Sequence, residues 1–228
     1  MFASWFDRIL PLAVSLMVAS CVDSTGPPVV EPPVVEPPQE QLPLGAITGG
    51  PVSTEDLHML RHELRLVTAE GRPLDDVVIQ RAGGAPIETY ELSFWAVAGK
   101  ATKVQINYES GQGLKEFLKL TIPKKGLLWG PDGAALAAGD AVLITISIDR
   151  SELIVSFGPS GLEFGKPATL QLWYAGAVVA QDVDDRNLGI WYQETDGSSW
   201  YSIKSKHDTK KKVFKTAIFH FSNYAASW

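Results

Sequence analysis

The chain has 228 residues, with 26 acidic and 20 basic side chains, and its formal net charge is −6. An acidic chain of this kind lacks the basic field that nucleic-acid binding requires, so a nucleic-acid partner is excluded. Cys21 is the only cysteine, which excludes a disulfide within the chain and a cysteine-based metal site.

Residues 1–20 have the pattern of a secretory signal peptide. Arg8 precedes an apolar stretch, residues 9–19, that is shorter than the roughly 20 residues needed to cross a bilayer. The sequence VASC (18–21) resembles the lipobox of bacterial lipoproteins. That resemblance implies cleavage before Cys21 and a lipid on Cys21, and we expect an exported protein anchored to the bacterial membrane, facing the periplasm or the cell surface. The alternative is an ordinary cleaved signal peptide with an incidental cysteine.

Residues 21–50 form a linker after the lipidated cysteine. The sequence PPVVE occurs twice in tandem from Pro27, and the acidic residues of the linker meet no basic one. Proline fixes φ and removes backbone donors, so this segment is predicted to be a disordered, extended tether rather than part of a sheet.

The region 51–114 begins with one predicted helix. Ser53 and Asp56 match a capping box, and leucines at 57, 60 and 64 recur at helical spacing, which predicts a short helix near 54–66. The sequence LRLVT within this region offers the alternative of a strand. His58 and His62 lie one helical turn apart, a spacing found in metal ligands, but no nearby cysteine or third histidine completes a site. We expect both histidines on the surface of the helix.

Short β-rich runs separated by turn residues dominate the rest of the chain. ELSFWAVA (91–98) and TKVQINYE (102–109) predict a hairpin around Gly99-Lys100. Further predicted strands are FLKLTIP (117–123), AVLITISID (141–149), LIVSFGPSG (153–161), ATLQLWYA (168–175), LGIWYQE (188–194), SSWYSIKSK (198–206) and VFKTAIFHFSNYA (213–225). The spacing predicts an all-β fold, an antiparallel β-sandwich with one short N-terminal helix.

Several motifs follow one another in the order of a known domain family. They are LKLTIPKKGLLWGPDG (118–133), GDAVLITISID (139–149), FGPSGLEFGKPATLQLWY (157–174), IWYQETDGSSWYSI (190–203) and HFSNYA (220–225). Together they resemble the ZU-five-like β-sandwich domain of ankyrins and netrin receptors, in a divergent bacterial form. The resemblance covers residues 115–228 and implies a sandwich there. The region 51–114 lies outside it and is predicted from its own pattern as a helix and hairpin region, either separate or part of the same domain.

The triplet His220-Phe221-Ser222 carries the one candidate for catalysis. In some proteins with this sandwich the corresponding triplet cuts itself, which implies His220 as base, Ser222 as nucleophile and the Phe221 carbonyl as target. The reaction would be an N-to-O acyl shift followed by hydrolysis, and it needs backbone strain and an oxyanion donor. The structural alternative is a continuous strand, in which Phe219 and Phe221 fill the core while His220 and Ser222 face the other way.

Three weaker candidates remain. Asp182, Asp184 and Asp185 lie in a loop where carboxylates could hold calcium, although a solvated turn is the simpler interpretation. The basic segment KSKHDTKKK (204–212) is predicted to form the tip between the last two strands, with an anionic membrane or polymer as a candidate partner. Tryptophans raise the question of glycan stacking; for Trp173 and Trp191 we expect core packing.

These patterns predict a lipid-anchored, non-enzymatic binding or structural module of the bacterial cell envelope. We expect no cofactor, attachment to the membrane through the lipid on Cys21, and an envelope protein or glycan as partner. The alternatives are an autoprocessing domain cut between Phe221 and Ser222, and a surface domain that binds a glycan or polymer.

Overall fold

The computed structural model describes residues 47–80 and 86–228. The predicted signal peptide, Cys21 and the linker up to residue 46 therefore lie outside the described residues. The described residues form strands and two three-residue 3₁₀ helices, and none of their helices is long and apolar enough to cross a membrane. The predicted all-β class is confirmed.

Fourteen strands are formed within the described residues. They are β1 (Ile47–Val52), β2 (Leu66–Thr68), β3 (Asp75–Gln80), β4 (Pro86–Val97), β5 (Thr102–Ser110), β6 (Gly113–Ile122), β7 (Ala141–Asp149), β8 (Ile154–Gly158), β9 (Glu163–Trp173), β10 (Gly189–Gln193), β11 (Trp200–Ile203), β12 (Ser205–Asp208), β13 (Val213–His220) and β14 (Asn223–Ser227). One sheet has eight strands in the order β1-β11-β10-β14-β8-β7-β4-β3, and the other has six in the order β12-β13-β9-β6-β5-β2.

The two sheets pack as an antiparallel sandwich, and the central strands alternate between buried apolar and more exposed side chains. In β7, Ile144, Ile146 and Ile148 point inward and are fully buried, while the residues between them are more exposed. Leu170 and Leu172 of β9 are buried in the same cluster. Burial of each such side chain stabilises the fold by roughly 1.5–3 kcal/mol. Since alternate side chains of a strand point to opposite faces, this burial determines which face of the strand is turned to the core.

The predicted hairpin of residues 91–98 and 102–109 is wrong. Its two strands exist as β4 and β5, but β4 pairs with β3 and β7 in the eight-stranded sheet, whereas β5 pairs with β2 and β6 in the six-stranded sheet. The turn at Gly99, whose φ of +83° suits glycine, carries the chain from one sheet to the other. The region 51–114 thus contributes strands to both sheets.

A second predicted strand, residues 198–206, is also divided between the sheets. It separates into β11 of the eight-stranded sheet and β12 of the six-stranded sheet, with Lys204 alone between them. The carbonyl of Lys204 accepts a hydrogen bond of 2.9 Å from the hydroxyl of Thr216 in β13. Lys204 alone thus carries the chain from one sheet to the other.

The predicted helix over 54–66 is wrong beyond its first turn. Ser53 does cap a helix, since its hydroxyl accepts from the backbone of Asp56 at 3.3 Å, but that helix is a 3₁₀ turn over Thr54–Asp56. Residues 57–65 are extended, and the backbone of Leu60 bonds to Ala226 and Leu153. These long-range hydrogen bonds and the burial of Leu60 outweigh the local helical preference.

His62 lies in this extended segment and is buried, so the expectation of a surface histidine is wrong. Its Nε2–H donates to the carbonyl of Asp149 at 2.9 Å, and its Nδ1 accepts from the backbone of Leu64 at 3.4 Å. Both ring nitrogens are therefore used by the neutral imidazole. Burial lowers the pKa of His62 below its ordinary value of 6.5.

The lowered pKa of His62 makes stability depend on pH. Below pH 6.5 the imidazole is protonated in the unfolded chain before it is protonated in the folded chain. The contribution of His62 to the free energy of unfolding is therefore complete above pH 6.5 and decreases as the pH falls below that value. Urea unfolding between pH 7.5 and 5.5 measures this slope. We expect His62→Gln, which keeps an amide donor, to flatten it, although His207, whose pKa is also lowered, keeps part of it.

His58→Gln is the matched control, because His58 is exposed and its ring stacks on the ring of Trp228. This variant should keep the wild-type slope. Equal slopes for wild type and His62→Gln would contradict the assignment of the pH dependence to His62.

Candidate functional site

The triplet His220-Phe221-Ser222 lies where the chain passes between the sheets. β13 ends at His220 in the six-stranded sheet, and β14 begins at Asn223 in the eight-stranded sheet. Residues 221 and 222 belong to neither strand, so the predicted single strand over 213–225 is wrong. The pairing of β13 with β9 shifts between Ile218 and His220, and this irregularity turns the chain toward the other sheet.

The crossing also changes which aromatic residue enters the core. Phe219 is 39% exposed, whereas Phe221 is 1% exposed, so the expectation that both fill one face of a strand is wrong. Phe221 stacks on Phe157 of β8 with ring centroids 5.2 Å apart and meets the edge of Phe164 of β9 at 5.0 Å. Because β8 and β9 belong to different sheets, Phe221 joins the two layers of the sandwich.

Ser222 is buried and its hydroxyl is held by the chain that follows β10. The hydroxyl donates a shared hydrogen bond to the carbonyls of Gln193 and Glu194, the second at 2.8 Å. The side chain of Asn223 adds bonds to the side chains of Gln193 and Asp196. This polar group fastens the start of β14 to the end of β10, so the sheet is held together at the crossing.

His220 faces the carbonyl of the residue after it rather than the serine. Its Nδ1 lies 3.4 Å from the carbonyl oxygen of Phe221, and because a carbonyl only accepts, Nδ1–H is the donor. In the neutral ring, Nε2 then accepts from the hydroxyl of Tyr192 at 3.2 Å, and a carboxylate oxygen of Glu194 lies 3.7 Å from the same nitrogen. No hydrogen bond joins His220 to Ser222 within the described part of the chain.

Tyr192 and Tyr224 complete the surroundings of His220. The ring of Tyr192 meets the imidazole edge-on at 5.3 Å, and the hydroxyl of Tyr224 donates to the carbonyl of His220 at 3.0 Å. Burial raises the pKa of Tyr224 far above its ordinary value, so it stays a neutral donor. The partners from β10 were missed at the sequence level because nothing in the local pattern near His220 indicates a neighbour 28 residues earlier in the chain.

A self-cleaving site needs a donor to the carbonyl that is attacked and a base for the attacking hydroxyl, and the arrangement provides only the donor. The Phe221 carbonyl, which is the target of the attack, already has a donor on its oxygen in the Nδ1–H of His220. Among the residues described, the attacking hydroxyl meets no base, since Ser222 gives its proton to two backbone carbonyls that cannot remove it. The geometry therefore assigns Ser222 a structural role.

Two carboxylates of the acidic loop are bound by different partners. Asp184 caps the 3₁₀ helix Asp185–Asn187 and binds the guanidinium of Arg186, which lowers the pKa of Asp184 to about 2. Asp185 instead accepts from the hydroxyl of Tyr174 at 3.5 Å, and burial raises the pKa of that tyrosine to about 12. Among the residues that the structure describes, no group of three or more His, Cys, Asp and Glu side chains could hold a metal ion, and this includes Asp182.

The basic segment 204–212 is only partly the predicted tip. Lys206 and His207 belong to the edge strand β12, and the turn follows. The imidazole of His207 packs against the ring of Phe214, with the two ring centroids 4.2 Å apart. Its Nε2 lies 2.7 Å from the hydroxyl oxygen of Tyr174.

The tryptophans are spread over the molecule. Trp95 in β4 is 64% exposed and Trp129 in the connection between β6 and β7 is 40% exposed, whereas Trp200 is buried. Trp173 and Trp191 are half-buried; Trp191 packs against a small buried cluster around Trp200, whereas Trp173 belongs to neither buried cluster, so the expected core packing is not found for Trp173. Trp95 and the exposed Phe219 lie on strands of different sheets, so these two rings form no shared stacking surface.

Comparison of the sequence with protein-family models and with curated proteins gives no match to either.

The hydrogen bonds of Ser222 predict that this hydroxyl stabilises the fold. Ser222→Ala removes the donor from two buried carbonyls, which costs about 1–3 kcal/mol of the free energy of unfolding. Urea unfolding measures this loss. Ser93→Ala, which removes a hydroxyl from an exposed contact with Thr145, is the matched control and should change stability by less than about 0.5 kcal/mol. A Ser222→Ala variant as stable as wild type would contradict the structural role.

Proposed function

We propose that the protein is a lipid-anchored, non-enzymatic β-sandwich that serves as a binding or structural module of the bacterial cell envelope. The observation that carries this proposal is the engagement of Ser222, the only nucleophile in the one catalytic motif that the sequence contains, as a donor to backbone carbonyls. A side chain used in this way supports a scaffold rather than a reaction.

The location of the protein in the envelope rests on the sequence before the sandwich. The lipobox-like VASC places Cys21 where bacterial lipoproteins carry their lipid, and the proline-rich linker would then separate the membrane from the sandwich. The likeness of the motifs in 115–228 to the ZU-five-like domain agrees with this reading, because divergent members of that family occur in exported bacterial proteins.

Self-cleavage between Phe221 and Ser222 is a second candidate, favoured by one contact. The Nδ1–H of His220 on the Phe221 carbonyl would polarise that carbonyl toward attack. The candidate requires the hydroxyl of Ser222 to leave the carbonyls of Gln193 and Glu194 and find a base, and so it ranks below the binding module.

Lipid attachment gives the direct test of the anchored module. In bacteria grown with radiolabelled palmitate, the full chain should carry label and sediment with the membranes. Cys21→Ala should lose both the label and the sedimentation, whereas Ser20→Ala, which leaves the acceptor thiol in place, should keep both. Absence of label from the wild-type chain, or equal sedimentation of Cys21→Ala, would contradict the proposal.

A further inference from the structure

The outer face of the six-stranded sheet carries lysines in register on neighbouring strands. One row crosses five strands, each residue directly opposite the next: Lys206 of β12, Lys215 of β13, Gln171 of β9, Lys119 of β6 and Gln105 of β5. Adjacent strands are about 4.8 Å apart, so the row extends about 19 Å across the sheet.

A second row lies beside the first, two residues further along the strands. It consists of Ala217, Thr169, Thr121 and Lys103, again paired directly across β13, β9, β6 and β5. We call the nine positions of the two rows the lysine face. None of them is acidic, and the acidic positions that border the first row are Asp208 and Glu116.

The lysine face is open to solvent, and its charges are available. Lys103, Lys206 and Lys215 are exposed, and the glutamines and threonines between the lysines are half-buried. Among the described residues, no ion pair involves a lysine of this face. The surface therefore presents four lysines, of which Lys119 is half-buried, that form no ion pair among the described residues, on a chain whose formal net charge is −6.

One end of the lysine face is hollowed. A depression of about 280 Å³ lies between β12 and the neighbouring strands, lined by Lys204, Lys206 and Lys215 together with Thr169. Lysine is a point cation with freely rotating donors, and here three of them surround one recess beside a hydroxyl. A recess of this composition suits an anionic group that also carries hydroxyls.

We propose that the lysine face binds an acidic polysaccharide that lies across the strands. Lysines would meet the carboxylates or sulfates of such a polymer, while the amides of Gln171 and Gln105 and the hydroxyls of Thr121 and Thr169 would bond its sugar hydroxyls. The rows are linear, and amides and hydroxyls lie between their lysines, which favours an extended polymer with charged groups and hydroxyls along its length over a membrane surface. The proposal rests on the proposed function, for which it supplies the class of ligand.

Affinity electrophoresis of the Cys21→Ala chain tests the lysine face without a lipid anchor. Polygalacturonate and dextran sulfate are the acidic probes, and dextran is the neutral one. We expect retardation by an acidic polymer that weakens with salt, and none by dextran. Lys119→Gln with Lys215→Gln should reduce the affinity by about tenfold, which corresponds to about 1.4 kcal/mol.

Two further variants distinguish polymer binding at the lysine face from non-specific attraction between the polymer and any lysine of the surface. Lys210→Gln with Lys211→Gln removes the same charge from the turn after β12, and its affinity should stay within about twofold of the parent chain. Gln171→Ala changes no charge, and we expect about a threefold loss from the missing amide. The circular dichroism spectrum of each variant checks that it is folded.

Three outcomes would overturn the proposal: no retardation by either acidic polymer, equal losses for the two double-lysine variants, or flotation with phosphatidylglycerol vesicles without polymer binding. The palmitate experiment is independent of these results. A chain that is lipidated but binds no polymer would refute the lysine face alone and leave the anchored module in place.

Discussion

The hydroxyl of Ser222 holds the chain at the point where it passes from the six-stranded to the eight-stranded sheet. Its proton is shared by the carbonyls of Gln193 and Glu194, at the end of β10, and the neighbouring ring of Phe221 fills the space between Phe157 and Phe164. A polar contact and an apolar one thus act at the same crossing. Together they fix where β14 begins, between its neighbours β10 and β8.

The same constraint accounts for the chemistry of the motif. A serine that attacks its preceding carbonyl must lose its proton to a base, but here the proton belongs to a hydrogen bond that closes the sandwich. His220 is turned to the Phe221 carbonyl and to Tyr192 instead. The hydroxyl of Ser222 would have to give up its stabilising hydrogen bonds in order to attack, and in the structure it keeps them. The proposed ligand site is therefore on the outer surface of the sandwich, whose side chains do not hold the two sheets together.

Local sequence patterns predicted the strands better than their partners. The boundaries of β7 agree with the predicted run 141–149, because its alternation of isoleucines with polar residues reflects burial on one face. The sheet to which a strand belongs depends on hydrogen bonds to distant residues, which leave no local mark. The errors at Gly99, at Lys204 and at residues 221–222 share this cause, since in each case the chain changes sheets and the strand after the crossing finds partners far away in the sequence.

The candidate site shows the same division. The sequence indicated the triplet His220-Phe221-Ser222, but the role of each member follows from partners in β10 and from the turn between the sheets. His62 was misplaced for a similar reason, since a helical spacing cannot reveal a carbonyl at Asp149 that binds its ring. The lysine face needed the register of five strands, which no separate stretch of sequence contains.

The account depends most on the claim that the Phe221–Ser222 bond is a structural crossing and stays intact. Intact-mass spectrometry of the Cys21→Ala chain, kept for several days at neutral pH without denaturant and then treated with hydroxylamine to open any ester, measures this directly. We predict one mass, that of the uncut chain, before and after treatment. A pair of fragments divided between Phe221 and Ser222, absent from a Ser222→Ala sample, would contradict it.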